Sequence, residues 1–410
     1  VRAYIDTFFL DGALIPVQHE NTSKLPVWAQ TGVVHDPKLD ALRRYDGLRE
    51  KFGAEIPSIE ASHKDWQQAA QRWAELVVLR WEWDESLSAA DRTAWAVLQA
   101  KVEDAFGKWM MKRYGSLHNL PYQQQPVMVH QISRFMALEK TRKKIDKIAL
   151  LVLDGLAFDQ WLLLKKYLER TDKAWRFQES TAFAWVPTLT SVTRQSIFAG
   201  EPPLYFPDSL ATTSKEKSHW LRFWEDQGVH RNAIDLVTNL DGPNDPKLES
   251  ALGNARLSVL GIVWNKVDNI MHGMQMQTAG MHNQVRLWAT QGHLQQLLVL
   301  LQEEGFTVYL TADHGNVTAT GVGNPREGVL VETKGKRVRV YDRTEFLEEV
   351  ANKFPESLRW PNYGLPPARH VLLAGDLKAF TDLGDEVVSH GGIALEEVLV
   401  PFVAITREAP

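Results

Sequence analysis

Hydrophobic positions in the first 140 residues fall at helical spacing. Trp66, Trp73, Val77 and Trp81 recur seven, four and four apart, which puts them on one face of a helix. Ser88 with Asp91 has the spacing of a capping box. It opens a segment in which Trp95, Leu98, Val102, Phe106 and Trp109 step by three or four and stop before Gly115. Seven of the 15 tryptophans lie before residue 110, and at this spacing they read as a helical core rather than a stacking platform for single-stranded nucleic acid. Pro121 and Pro126 then break the pattern, and residues 121–147 read as a bridge in which VMVHQISRFM resumes the helical period. Lys140, Arg142, Lys143, Lys144 and Lys147 form the most basic local run, which reads as a solvated helix end.

From residue 147 the period changes. KIALLVLDG is an apolar run of strand length ending at Asp154. A helix is predicted over 285–304, with Val285, Trp288, Leu294, Leu297, Leu298 and Leu301 on one side and Gly305 as its cap. FTVYLTADHG predicts a strand ending at Ala312, GVLVETKGKRVRVYD a hairpin turning at Lys334–Gly335, and EEVLVPFVAI a late strand. Alternating strands and helices predict an α/β fold with a largely parallel sheet between helices, preceded by a mainly helical domain. The expected division is 1–140 helical, a linker to about 146, and 147–410 α/β. In such sheets ligands bind at the carboxyl ends of the strands.

Composition narrows the chemistry. The chain has 410 residues, 44% hydrophobic and 24% charged, which is globular and excludes wholesale disorder. A net charge of −5 disfavours general nucleic-acid binding. The absence of cysteine excludes disulfides, thiolate zinc sites, iron–sulfur clusters and a cysteine nucleophile. A metal site must then come from His, Asp, Glu and hydroxyl groups. No apolar run approaches the roughly 20 residues of a membrane span, so no membrane partner is expected. The start, VRAYIDTFFLDG, has neither a signal-peptide pattern nor an initiator Met, which suggests a fragment or processed form and a cytoplasmic location.

Several residues could carry chemistry. Asp154 directly follows a buried strand, where a carboxylate is costly unless paired or metal-bound; the alternative is a helix cap. Gly155 lets the chain turn there. Asp313 and His314 also follow a strand, and the Gly315 loop can turn both inward. Asp268 and His272 stand four apart, so on a helical turn both face one ion, or form a surface pair. His390 stands just before the last strand, as a ligand or a hydrogen-bonded structural residue. Thr190 lies between a Pro-stiffened loop and a predicted helix, where free N–H groups favour phosphate; the alternative is a simple cap.

LVLDG, PTLT, DNIMH, TADHG and SHGGIALEEVLVP stand in the order found in the alkaline phosphatase superfamily. Over residues 147–405 the chain resembles that superfamily. Within it, PTLTSVTR, KGKRVRVY and the upstream PVMVHQISRFM resemble the PglZ domain of bacterial phage-defence (BREX) systems. The resemblance implies an alkaline-phosphatase-like fold and two Zn²⁺ ions, with Mn²⁺ tolerated. One ion would be held by Asp154, Asp313, His314 and the Thr190 oxygen, the other by Asp268, His272 and His390. Thr190 would be the nucleophile, and Arg194 would contact a non-bridging oxygen or else form a surface salt bridge. A small cap is expected within 200–260. A threonine nucleophile argues against a sulfatase and favours a phosphodiester over a monoester. The implied activity is a phosphodiesterase or nuclease-type hydrolase of phage defence, with nucleic acids and nucleotides among its candidate substrates. The implied partners are other defence proteins, a methyltransferase and an ATPase. The rival reading is a scaffold subunit whose metal site stabilises the fold.

Overall fold

The computed structural model describes the chain except residues 1–4, 11–13, 15, 20–23, 35, 274–276, 326–334 and 409–410. Its strands in chain order are β1 (Lys147–Leu153), β2 (Trp175–Phe183), β3 (Ile234–Val237), β4 (Val259–Trp264), β5 (Phe306–Thr311) and β6 (Val317–Gly321). There follow β7 (Val338–Tyr341), β8 (Leu358–Trp360), β9 (His370–Leu373), β10 (Lys378–Ala379), β11 (Glu386–Ser389) and β12 (Leu399–Arg407). The main sheet has the order β2-β12-β5-β1-β4-β3. β1 pairs parallel with both β4 and β5, and β3 parallel with β4, while β12 runs antiparallel between β2 and β5. β1 and β4 lie inside this sheet, which is why both are apolar at almost every position and fully buried from Ile148 to Leu153 and from Val259 to Trp264. Two three-stranded sheets, β10-β6-β11 and β7-β9-β8, stand beside it. The chain is thus an α/β protein with a large, mostly parallel sheet and a helical N-terminal region.

Helix Phe158–Thr171 follows β1, helix Thr190–Ala199 follows β2, and helix Lys266–His272 follows β4. The loops leaving β1, β4 and β5 therefore open at one edge of the sheet.

The sequence expectations are met unevenly. Instead of one helix over 285–304 there are two, Thr278–Thr290 and His293–Glu303. Gly292 takes φ +73° between them, a left-handed turn that interrupts the helical ladder without changing which leucines are buried. The late strand begins at Leu399, because Leu395–Val398 forms a helical turn. Residues 200–260, expected as a small cap, instead supply β3 at the edge of the main sheet and helix Glu216–Asp226 packed on it. Of the hairpin expected around Lys334–Gly335, the first arm lies outside the described residues; the second, β7, pairs with β9.

Both tryptophan helices are present. Helix His63–Glu82 is capped by Ser62 and Asp65, helix Ala89–Arg113 by Ser88 and Asp91, each in a reciprocal capping box. Trp66, Trp73, Trp95 and Trp109 are buried, with Trp73 stacked on Trp95 at 4.8 Å. The same hydrophobic core continues from these helices into the sheet. Trp109 stacks on Phe183 of β2 at 5.5 Å, and the Tyr114 hydroxyl donates to the Ala184 carbonyl at 2.9 Å. The bridge is itself packed: helix Gln131–Arg142 buries Ile132, Phe135 and Met136, and Phe135 meets Phe402 of β12 edge-on at 5.6 Å. Its basic end is locally satisfied, with Lys140 donating to the Ile145 carbonyl at 2.6 Å and Lys143 paired to Glu139. Among the described residues no helix is long and apolar enough to cross a membrane.

Candidate metal centre

Asp154 stands one residue past the end of β1, at a turn made by Gly155 at φ +76°. The Gly155 N–H donates to Asp313 Oδ1 at 3.1 Å, which ties the β1 exit to the β5 exit. Asp313 also accepts from the His314 N–H at 3.0 Å. Asp268 lies in the first turn of helix Lys266–His272, and its N–H donates to the Asp154 carbonyl at 3.0 Å. One helical turn on, His272 places Nε2 3.0 Å from Asp268 Oδ1. His390 follows β11, and Thr190 is the first residue of helix Thr190–Ala199.

These residues form two groups. Asp154, Asp313 and His314 each offer a ligand atom within 4.8 Å of the others, as do Asp268, His272 and His390. The groups adjoin: the His314 and His390 rings stack with centroids 3.9 Å apart, and the Thr190 hydroxyl lies 3.1 Å from His314 Nε2. The six Asp and His positions and Thr190 thus meet in one place, although residues up to 236 apart in sequence contribute.

The donor chemistry fits divalent cations. His314 Nδ1 faces the Gly315 carbonyl at 2.9 Å, and His390 Nδ1 faces the Thr188 carbonyl at 2.7 Å. A carbonyl only accepts, so each proton sits on Nδ1 and each Nε2 lone pair points into the site, the tautomer in which metal-ligating histidines are held. Burial, with His314 alongside, holds His390 well below the usual histidine range, so it is neutral. Asp154 Oδ1, Asp313 Oδ2 and His390 Nε2 are buried without a hydrogen-bond partner among the described residues. Burial and the neighbouring Asp313 push the Asp154 carboxyl well above its usual range, against the pull of Arg194. Burial also pushes Asp268 upward, but the His272 hydrogen bond and the nearby imidazoles outweigh it and hold Asp268 below the usual range. Arg194 compensates only part of the crowding of Asp154 and Asp313, and a bound cation would relieve the rest.

Arg194 lies inside the protein, 4% exposed, which rules out the surface-pair alternative. One guanidinium nitrogen donates to Asp154 Oδ2 at 2.5 Å and Nε donates to Glu216 Oε1 at 2.7 Å. It stands behind Asp154, with its charge committed to two buried carboxylates.

Three supports have no counterpart in the sequence reading. Glu216, 2% exposed, backs Arg194 from the segment expected as a cap. The Thr188 hydroxyl accepts the Gly391 N–H at 2.8 Å and so latches the Thr190 loop to the His390 loop. Glu397 accepts the Gly392 and Ala394 N–H groups at 2.9 and 2.8 Å and pairs with buried Arg337 at 3.0 Å. The spacing of Ala394 and Glu397, that of a helix N-terminus, was the available signal for Glu397. Glu216 had none.

Comparison with known proteins adds the following. No curated protein matches the chain. Among solved structures, murine ectonucleotide pyrophosphatase/phosphodiesterase 5 is similar over 63% of this chain and 88% of its own, at 10% identity and TM-score 0.48. Phosphonoacetate hydrolase from Sinorhizobium meliloti 1021, in complex with phosphonoformate, is similar over 65% and 91%, at 14% identity and TM-score 0.39. The model of the BREX system PglZ alkaline phosphatase-like domain matches residues 136–405. That span holds the main sheet up to the last two residues of β12 and every residue of the two Asp/His groups, and the chain belongs to the PglZ family of alkaline phosphatase-like domains of BREX systems.

Proposed function

We propose that the chain is a two-metal phosphodiesterase of phage defence that uses Thr190 as its nucleophile. The observation that carries this reading is a pair of adjoining Asp/His groups, Asp154, Asp313 and His314 fully buried, with the Thr190 hydroxyl 3.1 Å from His314 Nε2. Asp154, Asp313, His314 and the Thr190 oxygen would hold one zinc-class ion, and Asp268, His272 and His390 the other. Such ions polarise a phosphoryl oxygen and lower the pKa of a hydroxyl or water. The chain does the rest. The N-terminus of helix Thr190–Ala199 favours a phosphate beside Thr190. Thr190 attacks phosphorus, one ester alcohol leaves, and water cleaves the phosphothreonine to restore the hydroxyl. Arg194 is a positioning residue: it fixes Asp154 and is itself fixed by Glu216. Because Arg194 is the one basic residue of the Thr190 helix and is committed there, a singly charged diester matches the site better than a doubly charged monoester. Family membership supports a setting among BREX proteins, which we take as its partners.

The test joins two measurements on protein purified without chelator: metal content, and turnover of bis(p-nitrophenyl) phosphate by wild type and Thr190→Ala. Bound metal with turnover lost in Thr190→Ala supports the reading. Bound metal without turnover in wild type would favour the scaffold, and a chain that takes up neither Zn²⁺ nor Mn²⁺ would overturn both.

A further inference from the structure

The helical region and the α/β part meet around a cavity of about 250 Å³ that shares no residue with the metal centre. Helix His63–Glu82 contributes Trp81 and helix Ala89–Arg113 contributes Trp95, while Asp159, Glu386 and Glu396 come from the α/β part. Trp81 continues the face of Trp66 and Trp73 but, unlike them, is only half-buried. The Arg80 guanidinium, its charge paired with Asp84, already lies 4.6 Å from the centre of the Trp81 ring. Three carboxylates line the cavity and, among the described residues, no basic side chain does. Asp159 is 3% exposed; its Oδ2 meets His282 Nε2 at 2.5 Å, and its Oδ1 accepts no hydrogen bond among the described residues. Glu396 Oε2 is buried and equally without a partner there, and Glu386 meets only the Gln277 amide.

We propose that this cavity is a second ligand site, and that its ligand is a small planar nitrogen cation of the guanidinium or amidinium type. The inference does not depend on the phosphodiester reading. Carboxylates held out of water without a counter-charge are costly, and a cation between them relieves that cost. Indole faces attract cations, and a flat guanidinium most readily. Arg80 shows Trp81 accepting one. A bare metal ion fits less well. Asp159, Glu386 and Glu396 form no group of ligand atoms close enough to share one ion among the described residues. A planar cation spreads its N–H donors over several directions and so reaches acceptors that stand apart. A pocket between two parts of one chain, apolar on its aromatic side and polar on the other, is also where small ligands are commonly held.

The experiment is titration calorimetry of the full chain at pH 8, where Glu396 is ionised, with benzamidine and with benzamide, which has the same shape and no charge. Benzamidine is expected to bind about tenfold tighter than benzamide or better. Glu386→Gln, on an exposed side chain, and Glu396→Gln, which keeps the acceptor for Trp73, should each weaken benzamidine several-fold and leave benzamide unchanged. Gln99→Trp, from a half-buried position on the lining, should fill the cavity and abolish binding of both. Methylguanidine is expected to bind more tightly than acetylarginine methylamide. The reverse order would assign the cavity to an arginine side chain of another protein and overturn the small-molecule reading. Equal binding of benzamidine and benzamide, or a benzamidine preference that both carboxylate variants keep, overturns the charge argument. Binding that survives Gln99→Trp places the ligand elsewhere, and failure of benzamidine to bind wild type overturns the proposal outright. None of these outcomes bears on turnover of a phosphodiester.

Discussion

Glu396 gives a sharp test of how the helical region and the sheet are joined. It sits in the turn Leu395–Val398, where Oε1 accepts from Trp73 Nε1 at 2.7 Å and Oε2 has no hydrogen-bond partner among the described residues. Burial pushes its carboxyl up to about 7, partly opposed by the Trp73 hydrogen bond, from an ordinary 4.5. Glu103, from helix Ala89–Arg113, is raised too, by burial and by Glu396. Because the folded value lies above the unfolded one, the ionised form costs stability. That cost is full above pH 7 and is relieved as pH falls through 7 towards 4.5. A shift of this size corresponds to about 3 kcal/mol at pH 8 and about 1 kcal/mol at pH 5. Glu396→Gln keeps an acceptor for Trp73 and cannot ionise. The variant should melt higher than wild type at pH 8, and most of that gain should be gone at pH 5. The assay is the melting midpoint of both proteins across pH 5–8 in chelator. An equal gain at both ends, or none at pH 8, would refute the argument that a buried charge is the cause.

Further outcomes follow from the site. Thr190→Ala should abolish diester hydrolysis with metal content largely kept, Thr190→Ser should retain measurable turnover, and Thr188→Ala should weaken metal binding by releasing the Gly391 latch; rates and metal content of the three variants check this. Asp313→Ala or Asp268→Ala should lower metal stoichiometry and cut turnover by orders of magnitude, and wild-type turnover in a folded variant would overturn the assignment. Since burial and Asp313 raise the Asp154 carboxyl in the metal-free site, protons compete with a cation there, so metal affinity should fall as pH is lowered; competition with a chelator at each pH measures it. Glu397→Gln leaves Arg337 buried without its counter-charge and should cost about 3–5 kcal/mol, read as a lowered melting midpoint.

Local physics made much of this chain legible in its sequence. The Trp95-to-Trp109 face is buried as its spacing predicts, because a helix samples its surroundings every 3.6 residues whatever lies opposite. The Ser88–Asp91 box and the apolar run of β1 are equally local, one satisfying a helix end, the other a strand covered on both faces. The order of the LVLDG, PTLT, DNIMH, TADHG and SHGG segments identified the family and the residues that the fold gathers. The tertiary structure alone decided the rest. Gly292 breaks a helix whose leucine pattern runs on without a mark. β3 joins the sheet from a segment that reads as an insertion. Arg194 turns to Asp154 and Glu216, 40 and 22 residues away, because burial leaves a guanidinium no water and it must find carboxylates. The tautomer of His390 is set by the Thr188 carbonyl, 202 residues distant. Local periodicity records which face of an element is buried, but not which distant carbonyl, carboxylate or ring will face it there.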